Sequence, residues 1–245
     1  MKIGVFSDVH ANWEALQVCL ARLKAEGAEA YIYCGDVIGY GPDPEKCVQT
    51  VLNLPLEACV LGNHEAIFTQ PELERFFNDE ARSSLHQNKP FLSPQSIHAL
   101  AQLPAVVEKP GFTVLHGTPR DPVTEYFVST RQFIANYSLW KGTVCFVGHT
   151  HIPFYMKGTA LQCSIYANSN TDTTVRLDPS MRYVINPGAV GKPRDKDPRA
   201  SFGLWDTDQQ TFRFFRQAYD VQKTQQKMKK AHLPAFLINT LAQGL

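Results

Sequence analysis

The feature that most constrains the fold is a recurrence of short apolar runs that each end on Asp, Asn or His. Ile3 to Ser7 is followed by Asp8 and His10, Tyr31 to Gly35 by Asp36, and Ala58 to Gly62 by Asn63 and His64. Phe112 to Leu115 is followed by His116, and Val144 to Gly148 by His149 and His151. Brief apolar runs bounded by polar or turn residues read as buried strands. In open α/β sheets the loops at the carboxyl ends of strands converge on one crevice, so residues distant in sequence meet there. Strands that deliver only Asp, Asn and His to one place predict a metal site.

The rest of the chain fits that reading. Residues 12 to 26 carry Leu16, Leu20 and Leu23 at helical spacing and close on Gly27. Ser93-Pro94 is a helix start, with Ser as N-cap and Pro in the first turn. Strand and helix alternate as in βαβ units over the first part. From Phe112 onward strand-like segments dominate: 112–116, 143–148, 160–167, 182–186, 200–206 and 211–218. The expected architecture is a mixed α/β sandwich with a second sheet. At 245 residues, and with no Gly/Ser or Pro tract dividing it, the chain reads as a single domain. The Lys-bearing tail from Val221 (Lys223, Lys227, Lys229, Lys230) is expected to be the solvated face of a terminal helix, without functional weight.

Charge and cysteine use exclude several classes. A formal net charge of +1 argues against affinity by broad neutralisation of nucleic-acid phosphates, so any anionic ligand must be attracted locally. No stretch is long and apolar enough to span a membrane, and the opening apolar run is too short for a signal segment. Cys19, Cys34, Cys47, Cys59, Cys145 and Cys163 show no C-x-x-C spacing. They are expected to be reduced core thiols of a cytoplasmic protein.

The donor types define the chemistry. Imidazole with carboxylate suits Mn, Fe, Ni, Co or Zn, whereas an all-oxygen site suits Mg or Ca. Asp8, His10, Asp36, Asn63, His116, His149 and His151 are too many for one tetrahedral ion. They fit two ions that share a carboxylate and keep positions for water or substrate. Each residue alone has a plainer reading, Asp and Asn as caps or turn residues and His as a structural group. Joint occurrence at strand ends outweighs it. His86, His98 and His232 lie outside the pattern, on expected helices, and are set aside.

Five blocks in this order, Asp8-Val-His10, Gly35-Asp36, Gly62-Asn63-His64-Glu65, His116-Gly117 and Gly148-His149-Thr150-His151, resemble the calcineurin-like metallophosphoesterase superfamily. The likeness spans residues 1 to about 205. Gly39-Tyr-Gly-Pro-Asp43 and Asn186-Pro-Gly188 through Asp195 also resemble its small bacterial and archaeal phosphodiesterase branch. The resemblance implies a four-layer α-β-β-α sandwich of two mixed sheets. It implies two divalent transition-metal ions, manganese being the expected one. Asp8, His10 and His151 would hold the first ion, Asn63, His116 and His149 the second, and Asp36 would bridge them. A bridging hydroxide would then attack the phosphorus of a small phosphorylated substrate, with His64 assisting the leaving group rather than ligating metal. Arg120, in the loop after His116, is a candidate phosphate clamp, a surface ion pair being the alternative. Tyr40 and Arg194 are weaker candidates for the rim.

Two departures refine the expected activity. Protein phosphatases and dinucleoside tetraphosphatases of this superfamily carry Asp-Arg-Gly at the second block, but Asp36 is followed by Val37. Purple acid phosphatases place a tyrosine three residues after that Asp, but the tyrosine is displaced to Tyr40. Both departures favour phosphodiester hydrolysis, with phosphomonoester or nucleotide hydrolysis, and then a non-catalytic scaffold, as alternatives. A helical insertion at about 68–104, containing Phe76, Phe77 and Phe91, is expected to cap the site.

Overall fold

The computed structural model describes residues 1–167 and 172–245. In chain order the elements are β1 (Lys2–Phe6), α1 (Trp13–Ala25), β2 (Ala30–Tyr33), α2 (Pro44–Leu52), β3 (Leu56–Cys59) and α3 (Asn63–Ala66). A 3-10 turn (Pro71–Phe76), α4 (Asp79–Asn88), a second 3-10 turn (Lys89–Phe91) and α5 (Pro94–Ala101) follow. Then come β4 (Val106–Lys109), β5 (Phe112–Leu115), α6 (Thr130–Asn136), β6 (Val144–Phe146), β7 (Phe154–Gly158), β8 (Cys163–Ala167) and β9 (Thr173–Arg176). The chain ends with β10 (Arg182–Asn186), β11 (Ala200–Asp206), β12 (Thr211–Gln217), α7 (Val221–Lys230) and α8 (Ala235–Leu241).

The strands form two six-stranded mixed sheets, in the orders β3-β2-β1-β11-β12-β9 and β4-β5-β6-β10-β7-β8. The parallel pairs β1–β2, β2–β3 and β5–β6 bring the carboxyl ends of the early strands to the same edge. Side chains alternate across each strand, and the alternation creates the layers. Ile3, Val5, Ile32, Val114 and Phe146 point between the sheets with Phe212 and Phe214. Phe6, Tyr31 and Tyr33 point the other way and pack with Leu16 of α1 and Val48 of α2. On the far side Leu115 and Cys145 meet Phe133 of α6 and Trp140. The result is the expected α-β-β-α sandwich.

Helix starts follow local chemistry. The Asn12 side chain accepts from the Ala15 amide at the head of α1, and Ser93 accepts from Ser96 at the head of α5. The sequence reading missed β4, β7 and β9. β4 is half exposed and β9 joins the sheet only at the edge, against β12, so each is held by a neighbour rather than by its own pattern, whereas β7 lies inside the second sheet between β10 and β8. All six cysteines are free thiols. No helix among the described residues is long and apolar enough to cross a membrane.

Candidate metal centre

Seven of the strand-end residues converge on one buried crevice. Asp8, His10, Asp36, Asn63, His116, His149 and His151 are all buried, none more than 8 % exposed. Donor atoms of Asp8, His10, Asp36 and His151 lie within 4.8 Å of one another, and so do those of Asp36, His116 and His149. Asp36 belongs to both groups. Asn63 joins the second, its Oδ1 being 3.2 Å from His116 Nε2.

The hydrogen bonds around the imidazoles decide which atoms face the centre. His10 Nδ1 donates to the Ile38 carbonyl at 2.8 Å, His116 Nδ1 to that of Cys34 at 2.7 Å, and His151 Nδ1 to that of Lys192 at 2.5 Å. With the proton fixed on Nδ1, each Nε2 turns a lone pair inward. His149 is reversed: its Nε2 donates to the Thr124 carbonyl at 3.0 Å, which leaves Nδ1 as the inward atom. The lone pairs then meet other acceptors. His10 Nε2 and His151 Nε2 are 3.1 Å apart, His151 Nε2 is 3.3 Å from Asp8 Oδ1, and His116 Nε2 is 3.2 Å from Asp36 Oδ2. Asp8 Oδ2 is buried and has no hydrogen-bond partner in the protein. Buried acceptors that converge in this way are costly unless protons or cations sit among them, so the residues fit divalent metal.

The proton affinities agree. Burial, followed by neighbouring charge, holds His10 and His151 well below the ordinary histidine value, and lowers His149 to about 3. These are neutral ligand-type imidazoles. Burial opposes charge on His116 too, but Asp36 outweighs it and raises His116 to about 9. The carboxylate that would retain a proton there would equally retain a metal cation.

The local backbone is strained where the candidate ligands sit. Asp8 (φ 53°), His10 (47°), Asp36 (64°), His149 (67°) and His151 (60°) all occupy the left-handed region. Non-glycine residues seldom adopt it, and such strain clusters at functional sites. Two block glycines are required by close approach. A Cβ on Gly62 would fall 2.0 Å from Asp36 Oδ1, and one on Gly148 would fall 2.1 Å from Ser7 Oγ.

Glu65 holds the loops together, a role the sequence reading left unassigned although Glu65 stands inside a quoted block. Its Oε2 accepts from the amides of Asp36 (2.8 Å) and Gly62 (2.9 Å), and its Oε1 from those of Val37 (2.9 Å) and Ile38 (3.3 Å). One buried carboxylate thereby fixes the turn carrying Asp36 to the turn carrying Asn63 and His64. The His64 amide in turn donates to Asp36 Oδ1 at 3.0 Å.

A cavity of about 610 Å³ opens onto the centre, lined by Asn63, His64 and His149. Tyr40, Lys192 and Arg194 also line it, so the loops that appeared peripheral in sequence form part of the site. Tyr126 stacks on His149 with 3.9 Å between ring centroids, and no sequence pattern announced it. Arg120 is elsewhere: its side chain is 53 % exposed, forks onto Glu125, and does not line the cavity. The terminal helices also depart from expectation. Lys227 of α7 is tied to Glu14 and Asp43, and Phe236 and Leu237 of α8 line the cavity.

Residues 1–210 match the family model described as the calcineurin-like phosphoesterase superfamily domain, and the chain belongs to that superfamily. It is 32 % identical over 250 residues to an uncharacterized protein of Methanocaldococcus jannaschii, covering 99 % of this chain and 98 % of the other. Its fold is similar to that of a metallophosphoesterase from Sphaerobacter thermophilus, with a TM-score of 0.88, 35 % identity, and 100 % and 99 % of the two chains covered. A hypothetical protein from Pyrococcus horikoshii shares the fold at a TM-score of 0.79 and 18 % identity, over 100 % and 98 % of the chains. The chain is thus a metallophosphoesterase-family protein with a buried Asp/His cluster able to hold metal.

Proposed function

We propose that this protein hydrolyses phosphodiesters with two divalent metal ions. The observation that carries the reading is the pair of donor groups that share Asp36 beside an open cavity. Asp8, His10 and His151 would hold one ion, Asn63, His116 and His149 the other, and Asp36 both; the mixed N/O donors suit manganese or a neighbouring transition metal. Bound divalent ions supply Lewis-acid chemistry, acidifying water and offsetting charge on phosphoryl oxygens.

His64 would serve the leaving group. Its Nε2 faces the centre, 4.0 Å from Asp36 Oδ2, and its Nδ1 is buried without a hydrogen-bond partner. Burial lowers its pKa to about 4, so it waits as a neutral imidazole. An anionic phosphate ester beside Nε2 would favour uptake of a proton from solvent, and His64 would pass that proton to the departing oxygen and return to the neutral imidazole. Ligation of metal by His64 is disfavoured because the second donor group is already supplied by Asn63, His116 and His149. The 3-10 turn Pro71–Phe76 and α4 contribute Phe76 and Ala81 to the cavity lining, which supports a capping role for the helical insertion.

Asp36 followed by Val37 rather than by an arginine favours diesters, since the second block supplies no arginine for a dianionic phosphate. Lys192 and Arg194 in the lining favour the second reading, a phosphomonoester or nucleotide substrate. Chelator-stripped protein given Mn, Ni, Co, Zn or Mg singly, with matched chromogenic diester and monoester substrates, separates the two. Diester turnover restored by a transition metal is the expected result. Monoester preference supports the second reading, and silence with every metal leaves a binding scaffold.

A further inference from the structure

The cavity is larger and more aromatic than phosphate binding alone requires. Phe76 on the 3-10 turn is 63 % exposed and Phe236 on α8 is 58 % exposed, yet both line this cavity. Exposed aromatic rings gathered from separate elements at one concavity mark a ligand surface. Phe77 continues that wall to the centre, with its ring 4.8 Å from the His64 ring. The wall therefore begins beside the leaving-group histidine and runs outward.

A cation faces the same space. Arg194 Nη2 donates to the Tyr40 hydroxyl at 3.2 Å, and its guanidinium stands over the Tyr40 ring at 5.9 Å. Among the described residues it forms no salt bridge, unlike Arg120, which is neutralised by Glu125. A largely buried guanidinium held by phenols and left without a carboxylate is a preformed anion subsite.

We infer that the cavity takes a phosphodiester carrying a planar aromatic ester group. Arg194 holds an anionic phosphoryl oxygen, and the aromatic group lies against Phe76, Phe77 and Phe236. The inference rests on the phosphodiesterase reading but concerns binding, so it is tested without turnover. Calorimetry on manganese-loaded protein compares monomethyl phenylphosphonate with monomethyl methylphosphonate, two monoanionic probes that mimic a diester and differ in the ring. Covering about half of a phenyl ring, roughly 55 Å² of apolar surface, corresponds to about a tenfold tighter Kd for the phenyl probe. The Phe76→Ala/Phe236→Ala double variant should abolish that ratio. Arg194→Gln should weaken both probes about tenfold while keeping the ratio. Since Phe76 and Phe236 are surface rings, a melting curve suffices to show that the double variant is folded. Equal or undetectable binding of the two probes overturns the inference, as does a phenyl advantage that survives the double variant. Thymidine 5′-methylphosphonate identifies the group: tighter binding than the phenyl probe points to a nucleobase, weaker binding to a simple aryl group. Failure of the phosphodiesterase reading shows separately, as phenyl-selective binding with no diester hydrolysis under any metal.

Discussion

Replacing Glu65 by Gln should damage both stability and metal binding, although Glu65 is not among the proposed ligands. Its two oxygens accept four amide hydrogens, from Asp36 and Gly62 at one oxygen and from Val37 and Ile38 at the other. Glutamine keeps one oxygen and turns an NH₂ toward the other pair. In either orientation two buried amides lose their acceptor and meet a donor. An unsatisfied buried donor costs about 1–3 kcal/mol, so the substitution should cost roughly 2–6 kcal/mol. At about 2–4 °C per kcal/mol for a chain of this size, Tm should fall by about 4–24 °C in scanning calorimetry. Either pair lies in the turns that carry Asp36 and Asn63, and removing a partner that orients candidate ligands typically weakens metal about 10–100-fold. Competition with a chromogenic chelator measures that affinity. A variant within about 2 °C of the parent and equal in metal affinity would refute the argument that this carboxylate fastens the two ligand loops.

Asp36→Asn should reduce metal stoichiometry, read by elemental analysis, because this carboxylate is common to both donor groups. His64→Ala should retain metal but lower kcat about 10²–10⁴-fold, and equal metal loss in the two variants would remove His64 from the proton-donor role. Arg120→Ala should leave diester kcat/KM within about twofold, since its guanidinium is engaged by Glu125 away from the cavity. Glu14 gives a pH signature. Its burial works against the charged form, but Lys227 outweighs burial and its folded pKa lies below 4.5. A depressed carboxylate pKa stabilises the fold above the unfolded value and loses that contribution as pH falls through the folded one. Trypsin cleavage at Lys223–Lys230 cannot be followed in acid, so hydrogen exchange over α7 is compared at pH 7 and pH 3.5. Protection relative to the intrinsic exchange rate at each pH should fall in acid, and Glu14→Gln should show the lower protection already at pH 7; identical protection for parent and variant would count against the anchor.

The sequence by itself determined the layered α/β class and the seven strand-end donors. Both follow from local rules: a buried strand must be apolar, and the polar residues that end it mark the loop where strands converge. That is why Asp8, Asp36 and His116 were legible without coordinates. The structure decided what depends on pairing between distant segments. The edge strands β4 and β9 take their form from partners in the sheet, so their own residues carry weak signals. Arg120 and Arg194 are chemically alike and both follow a block, yet one folds back on Glu125 and the other faces the centre. The terminal helix looked like a solvated surface because its lysines are prominent in sequence. In the fold Lys227 ties α7 to Glu14 and Asp43, and Met228 of α7 packs with Leu237 and Ile238 of α8 beside Tyr40 and Ala81, which sets Phe236 at the cavity. The candidate donors follow from short-range chemistry, whereas the walls of the site are set by contacts between distant segments.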